Sequence, residues 1–143
     1  MGSFLPLLPP VLVDTGPIVA ILNEADEHHD ACVDELRAIN GPLLTCWPVV
    51  TEVAWLLRAY PTALSRLLSS FNGQPFELTP LNMADMSGIS AIMSRYRSLG
   101  VQLADASLVH LANRDGIVTI FTLDRRDFGV LRGPAGQKFR LIP

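Results

Sequence analysis

VLVDTGP, residues 11–17, decides the fold. Its first three residues are apolar and two of them are β-branched, whereas the last four favour a turn or the start of a helix. A short run that is apolar throughout is typical of a strand covered on both faces, as the strands of a parallel sheet are. Four more short strands are predicted at 43–46, 76–78, 118–123 and 139–142.

Segments with helical periodicity lie between the predicted strands. Apolar residues in them recur at intervals of three and four, and Gly or Pro follows several of the segments. In the first long helix we expect Ala31, Leu36 and Ile39 to face the core. Strands that alternate with helices predict a three-layer α/β/α domain with a mostly parallel central sheet. A helical turn is predicted at 18–22, and helices at 27–40, 48–60, 62–71, 82–98 and 103–113.

Composition limits the class of protein. The 143 residues are 49% hydrophobic and 17% charged, which is typical of one folded domain, and we assign that domain to residues 11–143. Residues 1–10 lack a basic start and contain three prolines, so we expect a leader arm or an expression remnant there rather than a signal peptide. No apolar run is long enough to span a membrane. Cys32 and Cys46 are too few for a disulfide scaffold, so we expect core thiols and a cytoplasmic protein.

Four acidic residues are candidates for a shared site. Asp14 and Asp124 directly follow predicted strands, and Glu52 and Asp105 fall in the predicted first turns of helices. Because the carboxyl ends of parallel strands open onto one edge of a sheet, all four acids can converge on one pocket. For each acid, capping of backbone N–H groups is the alternative interpretation.

The apolar surroundings of two of these acids favour a bound cation. Asp14 follows VLV, and Asp105 is embedded in LADASL, residues 103–108. A carboxylate in such a setting is strongly desolvated unless a cation or several donors compensate it. Oxygen ligands without nearby Cys or His suit Mg²⁺ or Mn²⁺ rather than Zn²⁺, and such a cation can orient a phosphodiester and activate water. The pattern therefore predicts a nuclease.

Four motifs in this chain resemble those of the PIN-domain nucleases. They are LVDTGP at 12–17, TEV at 51–53, LADA at 103–106 and TLDRRDF at 122–128, in that order. The branch that they resemble most is the bacterial VapC-like toxins. The resemblance implies a Mg²⁺-dependent (or Mn²⁺-dependent) endoribonuclease, often homodimeric, that a cognate antitoxin protein holds inactive. It also implies the acidic quartet Asp14, Glu52, Asp105 and Asp124, of which Asp14, Asp105 and Asp124 are the candidate metal ligands.

Polar residues beside the acids extend the candidate site. Thr15, Thr51 and Thr122 either hydrogen-bond the acids or a metal-bound water, or act as turn and capping hydroxyls. Asp127 is either an alternative fourth acid or a cap for the turn around Phe128.

Arginines follow the last acidic motif. Arg125 and Arg126 are candidates for contacts with RNA phosphates, and a solvated surface or an antitoxin contact is the alternative. The formal net charge is −3, with 14 acidic and 11 basic residues. Setting aside the quartet and Asp127 leaves nine of the 14 acids against 11 bases, which is compatible with an RNA partner.

Several prominent residues are interpreted as packing rather than chemistry. Trp47, Trp55 and the methionine stripe at 83, 86 and 93 are expected in the core or on a dimer surface rather than as platforms for base stacking. A homodimer is expected because the helices carry more apolar residues than one sheet of this size covers. Those residues are Leu56, Leu57, Leu64, Leu67, Leu68 and Phe71.

Two rival functions remain. A phosphoryl-transfer domain of the receiver or dehalogenase type needs a lysine near its aspartate, and the only lysine here is Lys138 in the tail. A PIN-like module that binds RNA or protein without cutting is the second alternative, and four intact acids argue against it.

Overall fold

The computed structural model describes residues 8–143, so most of the predicted leader arm lies outside the described residues. All five predicted strands are present, although three of them are shorter than predicted. They are β1 (Val11–Val13), β2 (Leu43–Thr45), β3 (Phe76–Leu78), β4 (Thr119–Phe121) and β5 (Arg140–Ile142).

The five strands form one sheet in the order β3-β2-β1-β4-β5, and every neighbouring pair is parallel. In the central strand, Val11 pairs with Leu43 on one side and with Thr119 on the other. This register aligns the carboxyl ends of β1, β2 and β4, so the residues that follow them leave the sheet at one edge. The prediction of a mostly parallel sheet is confirmed for the strands that the structure describes.

Every residue of β1 and β4 is buried, so helices cover both faces of the sheet. Helix α1 packs against α2, α3 and α4, and α5 packs against α6. The helices are α1 (Thr15–Leu22), α2 (His29–Ala38), α3 (Trp47–Leu56), α4 (Pro61–Ser70), α5 (Met86–Arg95), α6 (Leu103–Asp115) and α7 (Arg125–Val130). None of the helices in residues 8–143 is both long and apolar enough to cross a membrane.

Helix boundaries differ from the prediction for identifiable reasons. Helix α1 begins at Thr15 rather than at residue 18, because the Asp14 side chain accepts a hydrogen bond from the Thr15 backbone N–H. The helix predicted at 82–98 is instead a 3₁₀ turn (Met83–Asp85), α5 and a second 3₁₀ turn (Arg97–Leu99). Gly100, with φ of 72°, ends that second turn in the left-handed region that favours glycine.

The core differs from the prediction at several apolar positions. Cys32 is fully buried on α2, whereas Ala31 is exposed. Of the six apolar residues on which the predicted homodimer rests, Leu57 and Leu67 are buried, and Leu64 and Phe71 pack against the core. Only Leu56 and Leu68 are exposed. Most of the sequence argument for a homodimer is therefore lost, and the homodimer stays a prediction.

Helix α6 is tied to the start of α5 by a buried carboxylate. Asp85 accepts hydrogen bonds from the Asn82 backbone N–H at 2.8 Å and from Arg114 at 3.2 Å, and it lies 2.8 Å from Nε2 of His110. These hydrogen bonds, led by the one from Asn82, lower the pKa of Asp85 to about 2. The network holds in place the helix whose first turn carries Asp105.

Candidate active site

An open cleft of about 520 Å³ lies at the edge of the sheet where β1 and β4 end. Carboxylates from four elements or their flanking residues line it, as the sequence predicted. The acids are Asp14, Glu52, Asp105, Asp124 and Asp127, and the other lining residues are Thr15, Gly16, Leu56, Gly100, Gln102, Leu123.

Asp14 is the most deeply placed of these acids, with 6% of its surface exposed. Its Oδ1 accepts a hydrogen bond from the Thr15 backbone N–H, and its Oδ2 accepts one from the Thr122 hydroxyl, both at 2.8 Å. Burial is the main cause that raises the pKa of Asp14 to about 6; the two hydrogen bonds oppose this rise, and the charges of Glu52 and Asp124 contribute to it. The side chain is thus oriented by two donors, and within residues 8–143 it forms no ion pair with a cationic side chain.

Thr122 links two of the acids. Its hydroxyl donates to Asp14 and accepts a hydrogen bond from the Asp124 backbone N–H at 3.0 Å. Asp124 in turn accepts the Asp127 backbone N–H at 2.9 Å and so caps α7. The sequence offered Asp127 as the cap, but the capping oxygen belongs to Asp124, and Asp127 lies in the first turn of α7 beside the cleft. Burial, followed by the charge of Asp124, raises the pKa of Asp127.

Glu52 reaches the cleft from α3. Its Oε2 accepts a hydrogen bond of 2.8 Å from the Thr15 hydroxyl, so the residue after Asp14 positions a second acid. The sequence placed Glu52 in the first turn of its helix. That was wrong, because α3 begins at Trp47 and its first turn contains no acid.

Asp105 lies in the first turn of α6, as predicted, and is partly buried. Burial is the main cause that raises its pKa to about 7, and the charges of Asp14 and Glu52 add to the effect. Around neutral pH an appreciable fraction of molecules without a bound cation therefore carries a proton on Asp105.

The charge of the cleft fits a hard divalent cation. Five carboxylates line it, and no lysine, arginine or histidine is among the lining residues of the part of the chain that the structure describes. Carboxylate oxygens are the donors that Mg²⁺ and Mn²⁺ prefer. Within residues 8–143, no three Asp, Glu, His or Cys side chains stand close enough to form a ready-made metal site. Repulsion between uncompensated carboxylates favours such spacing.

Three of the candidate residues do not line the cleft. The Thr51 hydroxyl donates to the Trp47 backbone carbonyl at 2.9 Å within α3, so it contacts no acid. Arg125 is exposed and donates to the backbone carbonyls of Leu141 and Pro143. Arg126 is exposed and does not line the cleft.

Sequence reasoning missed Gly16 and Gln102. An added Cβ at Gly16 would stand 3.4 Å from Leu123, so the first turn of α1 packs beside the residues that follow β4. Gln102 immediately precedes α6 and makes no side-chain capping bond there. The only feature of the sequence that could have indicated Gln102 is its position three residues before Asp105.

Comparison with known proteins gave three kinds of likeness. The PIN domain family matches residues 11–133 of the chain. "Ribonuclease VapC26" of Mycobacterium tuberculosis is 30% identical over 135 residues, which are 93% of this chain and all of that protein.

Solved structures share the fold. The Sarcin-Ricin loop cleaving toxin VapC20 of Mycobacterium tuberculosis superposes with a TM-score of 0.75 at 15% identity, over 81% of this chain and 91% of that one. A toxin-antitoxin complex from Klebsiella pneumoniae has a TM-score of 0.66 at 17% identity, over 91% of this chain and 98% of that one. The predicted three-layer α/β/α architecture is thereby confirmed.

Proposed function

The chain belongs to the PIN domain family, and from that premise we propose that it is an endoribonuclease that depends on Mg²⁺ or Mn²⁺ and is the toxin of a toxin–antitoxin pair. The observation that carries the proposal is the cleft itself. Acids that lie far apart in the sequence line one open space, and no basic side chain among the lining residues neutralises them. A module that only bound RNA would have no use for so much uncompensated negative charge beside a polyanion.

The named relatives support the substrate class. The relative with 30% identity is called a ribonuclease, and a structural neighbour is described as cleaving the Sarcin-Ricin loop. Because RNA is the proposed substrate, we propose that the enzyme acts in the cytoplasm.

Asp14, Asp105 and Asp124 would hold the cation. A bound Mg²⁺ or Mn²⁺ would supply charge stabilisation for the phosphodiester and would lower the pKa of an attacking water. Asp14 is prepared for this role because two hydrogen bonds fix the direction of its carboxylate. Asp124 keeps one carboxylate oxygen for the cleft, since only its Oδ1 is engaged with the Asp127 backbone N–H.

Two threonines serve as positioning residues for the acids. Thr122 connects the Asp14 side chain to the backbone of Asp124 and so links the end of β1 to the start of α7. Thr15 holds Glu52 at 2.8 Å and thereby orients the acid that α3 contributes. We propose that Glu52 orients the attacking water and that the exposed Arg125 and Arg126 contact RNA phosphates outside the cleft.

The same charge explains why a protein partner would inhibit the enzyme. An antitoxin arginine placed among these carboxylates would form charge-assisted hydrogen bonds and would occupy the space that the cation needs. A structural neighbour is a toxin-antitoxin complex, which supports a partner of this kind. Failure to co-purify with a co-expressed candidate antitoxin would remove that support.

Cleavage of a structured RNA with an exposed loop tests the proposal. We expect cutting with Mg²⁺ or Mn²⁺, no cutting with EDTA, and no cutting by Asp105→Asn, which loses the charge but keeps the size of the side chain. Asp34→Asn is the matched control, because Asp34 is an exposed acid on α2 outside the cleft. Cutting that survives EDTA, or full activity of Asp105→Asn, would overturn the assignment.

A further inference from the structure

A hollow of about 850 Å³ lies at the edge of the sheet opposite the acidic cleft. Residues that precede three of the strands line it: Pro10 before β1, Gly41 and Pro42 before β2, and residues 73–75 before β3. Because the strands are parallel, this edge carries their amino ends, whereas the cleft lies at their carboxyl ends. We call this hollow the amino-edge groove. Within residues 8–143 it shares no lining residue with the cleft.

The wall of the amino-edge groove is largely apolar. Leu36 and Ile39, at the end of α2, and Leu44 on β2 pack against the core but stay partly exposed. Glu77 on β3 is the one charged residue among the described lining residues, and it is itself exposed. Strand β3 pairs with β2 alone, so its other side is an edge of the sheet. The groove is therefore an apolar surface that no element of residues 8–143 fills.

The start of the described chain already lies in this groove. Leu8 and Pro10 are among the lining residues, and Leu8 is 53% exposed. The backbone between them lies directly on Gly41, because a Cβ added to Gly41 would collide with the carbonyl oxygen of Pro9. Only glycine permits so close an approach of two backbones. The seven residues that precede Leu8 are therefore tethered at a point inside the groove.

Those seven residues, MGSFLPL, have the composition of a segment that binds to an apolar surface. No side chain in residues 1–10 is charged. Phe4, Leu5 and Leu7 are large apolar side chains, and their transfer from water to an apolar surface is favourable. The three prolines of residues 1–10 restrict the backbone, so the segment loses less conformational entropy when it binds. They also lack the N–H groups that pairing with β3 as an added strand would use.

The tether favours this segment over a separate molecule. An extended chain spans at most about 3.6 Å per residue, so seven residues reach up to about 25 Å from Leu8. Attachment at Leu8 gives the segment a high effective concentration at the groove. A separate protein would have to lose translational and rotational freedom to bind there. The groove is also larger than the acidic cleft, at about 850 Å³ against 520 Å³, so it can take more than one large side chain.

We propose that residues 1–7 bind in the amino-edge groove of their own chain and place Phe4 between the end of α2 and the start of β3. The proposal does not depend on the proposed function, because the groove and the acids lie at opposite edges of the sheet. It makes the predicted leader arm part of the fold, since the bound segment covers apolar side chains and shields the edge beside β3. An expression remnant would have no such match to this surface.

Photo-cross-linking of the full chain tests the proposal. Benzoylphenylalanine, an analogue of phenylalanine that reacts with nearby C–H bonds under illumination, replaces Phe4, and mass spectrometry of peptides identifies the residues it reaches. We expect cross-links to residues 36–44 or 73–77. The same analogue at Val130, which is 49% exposed on α7 and does not line the groove, should reach neither range. Cross-links from position 4 that are scattered over the surface, or that fall outside both ranges, would overturn the proposal.

Isotope mixing identifies which chain supplies the segment. Unlabelled and ¹⁵N-labelled chains are mixed before illumination, so a cross-link within one chain has a single isotope composition and a cross-link between chains has both. We expect single compositions at micromolar concentration. Mixed compositions would show that the groove holds the segment of a second copy, and this would overturn binding within one chain.

A double-mutant cycle measures the contribution of the segment to stability. Phe4→Asp should lower the Tm by about 5–10 °C, because a charged side chain is unfavourable in the apolar groove. Gly41→Ala should displace the backbone at Pro9, and in that background Phe4→Asp should lower the Tm much less. Gly129→Ala is the matched control, since among the described residues an added Cβ at Gly129 meets no atom within 4 Å. An unchanged Tm of Phe4→Asp, or equal losses in the wild-type and Gly41→Ala backgrounds, would refute the proposal.

Discussion

Replacing Asp14 with Asn is expected to stabilise the cation-free protein while it abolishes cleavage. Asp14 is 6% exposed, and its pKa rises from 3.8 to about 6, mainly through burial. Folding therefore takes an ionised carboxylate into surroundings that disfavour its charge. An amide of the same size keeps the acceptor oxygen for the Thr15 backbone N–H and can donate to the Thr122 hydroxyl oxygen.

The size of the effect follows from the displaced pKa. A change from 3.8 to about 6 corresponds to about 3 kcal/mol of destabilisation of the ionised form. Asn replaces charge-assisted hydrogen bonds with weaker neutral ones, so we expect a net gain of about 1–3 kcal/mol at pH 8. For a domain of this length, that is a rise in Tm of about 3–10 °C.

The sign with pH is fixed by linkage. Because the folded-state pKa is raised, the native protein binds the Asp14 proton more tightly than the unfolded chain does, and stability falls as pH rises from 3.8 to about 6. The advantage of Asp14→Asn should be complete at about pH 8 and should vanish below about pH 4, where Asp14 is protonated in both states.

Urea unfolding in EDTA across this pH range is the assay, with Asp34→Asn as the exposed control. Asp34→Asn should unfold like the wild type at every pH. A variant at Asp14 that unfolds earlier than the wild type at pH 8, or that keeps the same advantage at pH 4, would refute the reasoning. Activity measured in parallel should be lost in Asp14→Asn, so activity and stability change in opposite directions.

Other predictions follow from the same site and its supports. Mg²⁺ affinity should increase as pH rises through about 7, because Asp105 must lose its proton to bind the cation. Calorimetry in buffers of different ionisation enthalpy should detect the released proton. Unchanged affinity between pH 6 and 8 would contradict this prediction. Asp127→Asn should lower the cleavage rate by about tenfold. Asp124→Asn should lower it further, because the Asp124 side chain also caps the start of α7. Equal losses of cleavage rate for the two variants would contradict this prediction. Asp85→Asn should lower the free energy of unfolding at neutral pH, and the loss should shrink as pH falls from 3.8 toward about 2. The reason is that the hydrogen bonds that lower the pKa of Asp85 stabilise the fold only while its carboxylate is ionised. A loss of stability in urea unfolding that stays constant with pH would contradict this prediction. Light scattering at micromolar concentration tests the predicted homodimer, and a mass of about 16 kDa would reject it.

Local patterns predicted the strands and the acids, and long-range packing accounts for the rest. VLV followed by Asp14 has the composition of a buried strand with a polar end, so the seven adjacent residues VLVDTGP were enough to predict β1. The hydrogen bond from Thr122 to Asp14 joins residues 108 positions apart, so the local sequence around either residue does not predict it. Helix α7 was missed because six residues, RRDFGV, are too few to show a periodicity, and its cap at Asp124 becomes visible only in the structure.

The helix faces show the same contrast between local pattern and long-range packing. Periodicity on α3 and α4 correctly selected apolar residues, but it did not tell which of them a neighbouring element covers, so Leu57 and Leu67 were offered as surface although they are buried. For Trp47 and Trp55 the sequence left the core and a dimer surface open, and their exposure in the structure excludes the core.

The pairing of β1 with β4 determines when, during synthesis of the chain, the acidic cleft can form. The central strand stays without one of its two neighbours until residues 119–121 have been synthesised. Asp124 follows a few residues later, so a nascent chain lacks both the completed sheet and the last acid for most of its translation. A ribosome-bound fragment that ends before residue 119 therefore has neither a fully paired central strand nor a complete acidic cleft.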